Sequence, residues 1–465
     1  MAEEIYDVVF MGGGSSGYQG AIRAAQLGCR AAVIESRDLG GVCLNRGCIP
    51  TKTIKASVDV LRLARRAREY GLQGDSPRPD IGAIMARKEK VVGLLRGGIA
   101  QLFRKNGVSL YEGYGRLLSP EELEVAAESG STRIRAKKIV IATGSRPLVP
   151  EPFSGNKKGL LTTDEILALS AIPASLVIVG AGAIGVEMAS IMAGLGSAVT
   201  LVEVEGRILP REDAEMSAYL ARMLKRQKIK IMTGVRVTEV TPGQKIKLSL
   251  SDARVLEGDA VLVAVGRVPN IEGMGLEKVG LGGTGGPIPV NEHLQTATPG
   301  IYAAGDVIGG WLLAHIAFCE GIVAAENSAG LASRMDYRVV PRCVFSLPEY
   351  GAVGLSEEEA KERFPTRAFS FPLKSLGMAQ AMGEWEGLVK LVVNEKNGQI
   401  LGGHIIGRHA GDLIAEIALA MRHGIPARGI METIHTHPTL SEAVLGVAQA
   451  ACGQAIGMLP SENPS

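Results

Sequence analysis

The chain has 465 residues, is 46% hydrophobic and carries a formal charge of +2. That length predicts two to four domains of roughly 100–200 residues each, and the balanced, ordinary composition points to neither nucleic acid nor a membrane surface. Only one pair among its six cysteines is close in sequence, which argues against a secreted disulfide framework and a four-cysteine zinc site; no apolar run reaches the ~20 residues that span a bilayer, and the acidic start Met1-Ala2-Glu3-Glu4 carries no signal-peptide pattern, so a cytoplasmic location is expected.

Residues 6–11 read as a strand that runs into Gly12-x-Gly14-x-x-Gly17. A helical stretch follows to Leu27, then a second strand over 31–34 that ends at Glu35. The three glycines serve, in order, a tight turn, the close approach of a pyrophosphate, and the packing of helix on strand. The helix N-terminus offers N–H groups and a positive dipole end to phosphate. An acid at the end of the second strand suits a ribose hydroxyl.

Next comes Gly40-Gly41-Val42-Cys43-Leu44-Asn45-Arg46-Gly47-Cys48-Ile49-Pro50-Thr51-Lys52. On a regular helix, residues five apart have Cα atoms roughly 8–9 Å apart, whereas a disulfide needs less than about 7 Å. If the two cysteines bridge, the helix must be irregular there, and Gly47 and Pro50 are the residues that loosen it. Two buried free thiols are the alternative reading. Helical spacing continues over 57–70 and 84–105, and the segment closes with Ile139-Val140-Ile141-Ala142-Thr143-Gly144-Ser145-Arg146-Pro147.

The pattern then repeats. A strand over 176–179 leads into Gly180-x-Gly182-x-x-Gly185, a helix to Leu195, and a strand over 198–202 ending at Glu203. The spacing from Gly12 to Glu35 equals that from Gly180 to Glu203. This copy closes with Val261-Leu262-Val263-Ala264-Val265-Gly266-Arg267-Val268-Pro269. Two such units imply two dinucleotides, usually a tightly held flavin and an exchanging nicotinamide. Beyond a glycine-rich loop (280–286) and Gly300-Ile301-Tyr302-Ala303-Ala304-Gly305-Asp306, apolar alternation over 339–345, 388–393 and 400–406 predicts antiparallel strands, and helices are expected over 412–423 and 427–432. The boundary of this third unit is placed near Asp336.

These motifs, with the closing His435-Thr436-His437-Pro438-Thr439-Leu440-Ser441-Glu442, resemble those of the flavoprotein disulfide oxidoreductases along the whole chain, and most closely those of the branch that oxidises lipoyl dithiols. The resemblance implies an α/β fold with two Rossmann-like dinucleotide-binding domains, one for FAD and one for NAD, and a C-terminal α+β dimerisation domain. The expected division is 1–147 and 271–336 for FAD, 148–270 for NAD, and 337–465 for the interface. Gly12, Gly14, Gly17, Glu35, Thr143, Gly144 and Asp306 are expected at FAD. Gly180, Gly182, Gly185, Glu203 and Gly266 are expected at NAD. For Asp306 a plain turn aspartate is the alternative.

By the same resemblance Cys43 is the interchange thiol that meets the substrate and Cys48 the charge-transfer thiolate against the flavin, the two forming a redox disulfide. Lys52 is expected near the flavin, paired with Glu187, solvated helix charges being the alternative. His437 matches the base and Glu442 the carboxylate that orients it; imidazole has the right pKa range for thiol exchange. A metal held by His435 and His437 lacks a third close ligand, so none is expected. The implied partners are a second copy of the chain, which donates the histidine, and a lipoyl-carrying protein, whether of a 2-oxoacid dehydrogenase complex, a glycine-cleavage H protein or a similar carrier. Glu203, followed by Val204-Glu205, repels a 2′-phosphate and selects NAD over NADP. One departure is the segment Trp311-Leu312-Leu313-Ala314-His315-Ile316-Ala317-Phe318-Cys319, which is more apolar than its Lys- and Glu-containing equivalents.

Overall fold

The computed structural model describes residues 5–155, 158–282 and 285–457. The chain divides into two compact units. The first comprises Met1–Leu148, Thr162–Ala171 and Gly266–Asp336, and the second Val149–Leu161, Ile172–Val265 and Tyr337–Ser465.

The first unit is built on strand β1 (Ile5–Met11), helix α1 (Ser15–Gln26) and strand β2 (Ala31–Glu35). β1 and β2 run parallel, with Val8 opposite Ala31 and Phe10 opposite Val33. On the far side of β1 lies Gly130–Ile141, with Val9 opposite Ile139, and Ile301–Ala303 joins beyond it. Ser109–Glu112 extends β2. The long strand Gly130–Ile141 also pairs antiparallel with Glu122–Ala127, which pairs with Tyr114–Ser119. Val8, Val9, Phe10 and Met11 are all buried, as a parallel strand covered on both faces requires.

Between the sheet strands sit α2 (Gly41–Arg46), α3 (Cys48–Arg65) and α4 (Ile81–Asn106). Gly47 separates the first two with φ −147° and ψ −110°. The irregularity expected if the two cysteines bridge is present as a full break between two helices. Pro50 lies in the first turn of α3, where its missing N–H costs nothing. α3 starts earlier than its periodicity predicted and gives way to a 3-10 turn at Ala67–Tyr70. α4 is capped by Asp80, whose carboxylate accepts the N–H of Ala83.

The second unit repeats the parallel core. Its strand order is Lys230–Met232, Ala198–Val202, Ser175–Val179, Ala260–Val263, Leu160–Leu161. A three-stranded antiparallel sheet, Val237–Thr241, Ile246–Leu250 and Val255–Gly258, is an addition that the sequence pattern did not anticipate. Residues from 337 onward form a separate antiparallel sheet ordered Arg342–Val344, Glu349–Gly354, Ile400–Gly407, Leu388–Asn394, Thr366–Pro372. Two of its strands, Glu349–Gly354 and Thr366–Pro372, were not foreseen. Helices Ala410–Arg422, Ala427–Glu432 and Glu442–Ala451 cover it, the first two close to expectation and the third new. Together they give the α/β architecture with a C-terminal α+β portion. No helix among the described residues is long and apolar enough to cross a membrane.

Candidate active site and cofactor cradles

The first cradle is the turn from β1 into α1. Gly12 has φ +109°, and a methyl group there would overlap the carbonyl of Ala142. A methyl on Gly17 would overlap the carbonyl oxygen of Gly12, so the helix can start this close to the strand only with glycine. Gly14 is different: its Cβ direction meets nothing nearer than Gly41 Cα at 3.7 Å. The backbone there is open to a close-lying phosphate. Glu35 accepts the N–H of Gly13 and the N–H of Arg37, each at 2.8 Å. Two anchoring bonds leave its carboxylate aimed at the cradle with acceptor capacity to spare.

The second cradle has the same geometry. Gly180 (φ +100°) abuts the carbonyl of Ala264, Gly185 abuts that of Gly180, and nothing lies within 4 Å of a Cβ on Gly182. Glu203, which is 7% exposed, accepts the N–H of Ala181 at 2.6 Å and that of Glu205 at 2.9 Å. The duplication seen in sequence is thus a duplication of hydrogen bonds.

The closing phrases of the two copies meet inside the first unit. Ser145–Pro147 pairs antiparallel with Arg267–Pro269. Thr143 donates its hydroxyl to the carbonyl of Asn270 at 2.8 Å, and Asn270 returns a bond to the Thr143 carbonyl at 2.9 Å. Gly144 (φ +67°) accepts from the Asn270 N–H, and Gly266 has φ +140°. Asp306 accepts from the Ser145 hydroxyl and lies 3.8 Å from Arg267 Nε. Arg267 also donates to the Ser145 hydroxyl and carbonyl, at 2.7 Å each. Asp306 is therefore a held carboxylate rather than a free turn residue. Arg267 and Ser145 were missed as site residues; their only signal was occupying matching positions in the two repeated phrases.

Cys43 lies in α2, and Cys48 opens α3. Cys43 and Cys48 are two thiols, hydrogen-bonded to each other. That bond, then burial, pushes the Cys43 thiol well above its ordinary range, while the Cys48 backbone N–H and the charge of Lys52 pull weakly the other way. The pair abuts the first cradle, since a methyl on Gly41 (φ +62°) would collide with Gly14. Asn45 and Arg46, between the cysteines, reach Asp38 and its neighbours.

The remaining groups lie in the second unit. Glu187 is 7% exposed and accepts the N–H of Phe345 at 2.8 Å. His437 is exposed, and its Nδ1 bonds Glu442 at 2.9 Å. His435 is instead buried against Glu416 at 2.8 Å and the carbonyl of Thr433 at 2.9 Å. Both its ring nitrogens are thus engaged, away from His437. Among the described residues no group of three or more His, Cys, Asp or Glu is arranged to hold a metal ion.

Comparison with known proteins agrees over nearly the whole chain. Residues 6–321 match the family described as pyridine nucleotide-disulphide oxidoreductase, and residues 340–448 match its dimerisation domain. A dihydrolipoyl dehydrogenase of Bacillus subtilis is 41% identical, covering 98% of this chain and 100% of the relative. The mitochondrial dihydrolipoyl dehydrogenase of Pisum sativum is 39% identical, over 96% of this chain and 91% of its own. Among solved structures, LpdA from Mycobacterium tuberculosis aligns with a TM-score of 0.89 at 28% identity, covering 95% of this chain and 99% of that one. The flavoprotein disulfide reductase RclA from Escherichia coli aligns with a TM-score of 0.88 at 28% identity, over 96% and 99%.

Proposed function

The chain belongs to the pyridine nucleotide-disulphide oxidoreductases, and from that membership we propose that Cys43 and Cys48 are the redox pair of a dihydrolipoyl dehydrogenase. The enzyme oxidises dihydrolipoyl groups and reduces NAD⁺ to NADH, with FAD as its resident cofactor. Both cradles fit a dinucleotide: Gly14 and Gly182 leave the backbone open, and Glu35 and Glu203 stand ready for a ribose hydroxyl. Gly12, Gly14, Gly17, Glu35, Thr143, Gly144 and Asp306 hold FAD; Gly180, Gly182, Gly185, Glu203 and Gly266 hold NAD. When bound, FAD supplies the two-electron acceptor that links the thiols to NAD⁺.

The chain's own chemistry is thiol–disulfide exchange. His437, oriented by Glu442, takes a proton from one substrate thiol. The resulting thiolate attacks Cys43 Sγ of the Cys43–Cys48 disulfide, and Cys48 leaves as a thiolate. The second substrate thiol then attacks the substrate sulfur of the mixed disulfide and releases Cys43, to which its proton passes. The lipoyl disulfide departs and the enzyme retains the dithiol. The closeness of the two thiols, within hydrogen-bonding reach of each other, supports their acting as a pair. Lys52, whose charge acts on Cys43, and the buried Glu187 are proposed as the accompanying charge pair.

The match to a dimerisation domain makes the working form a homodimer, and His437 is proposed to serve the cysteines of the partner subunit. The dithiol is presented by a lipoyl carrier, of a 2-oxoacid dehydrogenase complex, a glycine-cleavage system or a similar assembly, in the cytoplasm. One observation carries the assignment: the helix break at Gly47 brings Cys43 and Cys48 within hydrogen-bonding reach beside the first cradle. The purified protein is expected to be yellow, and to turn over dihydrolipoamide with NAD⁺. Activity only with glutathione disulfide and NADPH would defeat the proposal.

A further inference from the structure

Helix α2 is six residues long, too short to persist alone, and it lacks a side-chain cap at its N-terminus. Glycines bound it on both sides: Gly40 and Gly41 with φ +96° and +62°, and Gly47 at the break. In the oxidised protein the Cys43–Cys48 bond ties this helix to α3. Once that bond opens, other contacts must keep Cys43 in place.

Those contacts come from the two residues before Gly47. The Asn45 amide nitrogen points into a cup of three carbonyls, those of Gly41 at 2.9 Å, Leu39 at 3.2 Å and Asp38 at 3.4 Å. Arg46 bonds Asp38 Oδ2 at 2.7 Å, and the other oxygen of Asp38 takes Arg96 of α4 at 2.8 Å. Arg46 Nε also lies 3.7 Å from Asp164, in a segment docked on α4 by Lys88, which donates to the Leu167 carbonyl at 2.9 Å. Arg46 is only 21% exposed, so its ion pairs are partly shielded from solvent. Leu44 anchors the inner face of α2 and is 6% exposed.

We propose that Asn45 and Arg46 are positioning residues that hold Cys43 against Cys48 after reduction, and so set the redox equilibrium of the pair. The inference rests on the reading of these cysteines as the redox pair. A held dithiol recloses at high effective concentration; a loosened one does not, and its disulfide is easier to reduce.

The test equilibrates the holoenzyme with mixtures of reduced and oxidised glutathione. Enzyme disulfide and two glutathione thiols give enzyme dithiol and one glutathione disulfide. After acid quench and alkylation, the mass shift reports the dithiol fraction. Arg46→Met is expected to disfavour the enzyme disulfide about tenfold, the worth of one charge-assisted hydrogen bond. Asn45→Ala shifts the midpoint the same way, and Arg46→Lys, which keeps a point charge for Asp38, recovers part of the loss. A midpoint within twofold of the unmodified protein in Arg46→Met overturns the proposal, as does equal loss in Arg46→Lys. Should Arg46→Met not fold, Arg96→Met frees one side of Asp38 from outside the loop; a smaller shift in the same direction supports the proposal and no shift overturns it. If the unmodified protein does not exchange with glutathione at all, the redox-pair reading itself fails.

Discussion

Glu442 binds Nδ1 of His437 at 2.9 Å, while its second oxygen takes the backbone N–H of Thr439 at 2.9 Å. A carboxylate only accepts, so the ring proton sits on Nδ1 and the Nε2 lone pair is the one available to accept a proton. Burial pushes the Glu442 carboxyl up, but the bonds from His437 and Thr439 and the nearby imidazoles more than offset it, and the group stays below the ordinary carboxylate range. The pairing is therefore complete above the ordinary value of 4.5 and lost only as pH falls through the lowered one. Glu442→Gln removes the charge that stabilises the imidazolium. Dihydrolipoamide turnover is expected to fall roughly 10–100-fold, and more in Glu442→Ala, because general-base catalysis is worth about 10²–10⁴-fold. Steady-state rates between pH 6 and 8 check this, and undiminished turnover in both variants would remove the base role.

The two glycine cradles can be separated by matched substitutions. Gly17 abuts the Gly12 carbonyl just as Gly185 abuts that of Gly180. Gly17→Ala is expected to give colourless protein that retains no flavin. Gly185→Ala should stay yellow and accept electrons from dihydrolipoamide, while losing NADH formation. Flavin content by absorbance and pre-steady-state reduction distinguish the two, and the opposite pattern would exchange the assignments.

These cradles were legible in sequence because their constraint is local. A turn that admits only glycine must show glycine, and the acid follows at a fixed distance. That the helix must be irregular if Cys43 and Cys48 bridge was likewise readable from helix geometry alone. The positions of Asp38, Arg46 and Arg96 were not, since ion pairs between separate elements leave no periodic trace. Lys390 is the clearest case. In Leu388–Asn394 it reads as a solvent-facing charge among apolar residues, yet it is 1% exposed and bonded to Asp213 at 3.1 Å, 177 residues away. Glu349–Gly354 escaped notice for a different reason: two glycines weaken its strand pattern, and Gly351 is required because Ala410 packs directly on it.

Glu203 is expected to set the choice of nicotinamide cofactor. Its oxygens anchor two backbone N–H groups, and the remaining acceptor capacity suits a 2′-hydroxyl. Glu203→Ala leaves those N–H groups unpaired and removes the charge that repels a 2′-phosphate. The KM for NAD⁺ should rise by about 10–100-fold, from the loss of one or two hydrogen bonds to a buried charge, with the KM for dihydrolipoamide unchanged. Paired assays with NAD⁺ and NADP⁺ measure both effects; an unaltered KM for NAD⁺ would exclude Glu203 from the site.

Acid should unfold the second unit through its buried charges. Lys390 bonds Asp213 at 3.0 Å, Glu215 at 2.9 Å and Glu357 at 2.7 Å. Burial pulls its ammonium down, but the three carboxylates more than compensate and raise it above the ordinary value of 10.5. Burial likewise pushes Asp213 and Glu357 up, and neighbouring cations and N–H groups bring both below their ordinary 3.8 and 4.5. Burial lowers fully enclosed His404 below 6.5. The signs follow from linkage. The lysine's contribution is complete below 10.5 and lost only as pH rises through its raised value. The carboxylates' contribution is lost as pH falls through their lowered values. His404 begins to cost stability once pH drops below 6.5, where the unfolded chain binds a proton that the fold does not. Melting temperature should therefore be flat from about pH 7 to 8 and fall on the acid side. Lys390→Met leaves Asp213 buried without its cation and should cost about 3–5 kcal/mol at pH 7. That deficit shrinks as pH falls through the carboxylate range, because protonation relieves the stranded charges. Thermal melts of both proteins from pH 4 to 9 would show the curves converging toward acid; a constant offset would mean that Lys390 acts through packing alone.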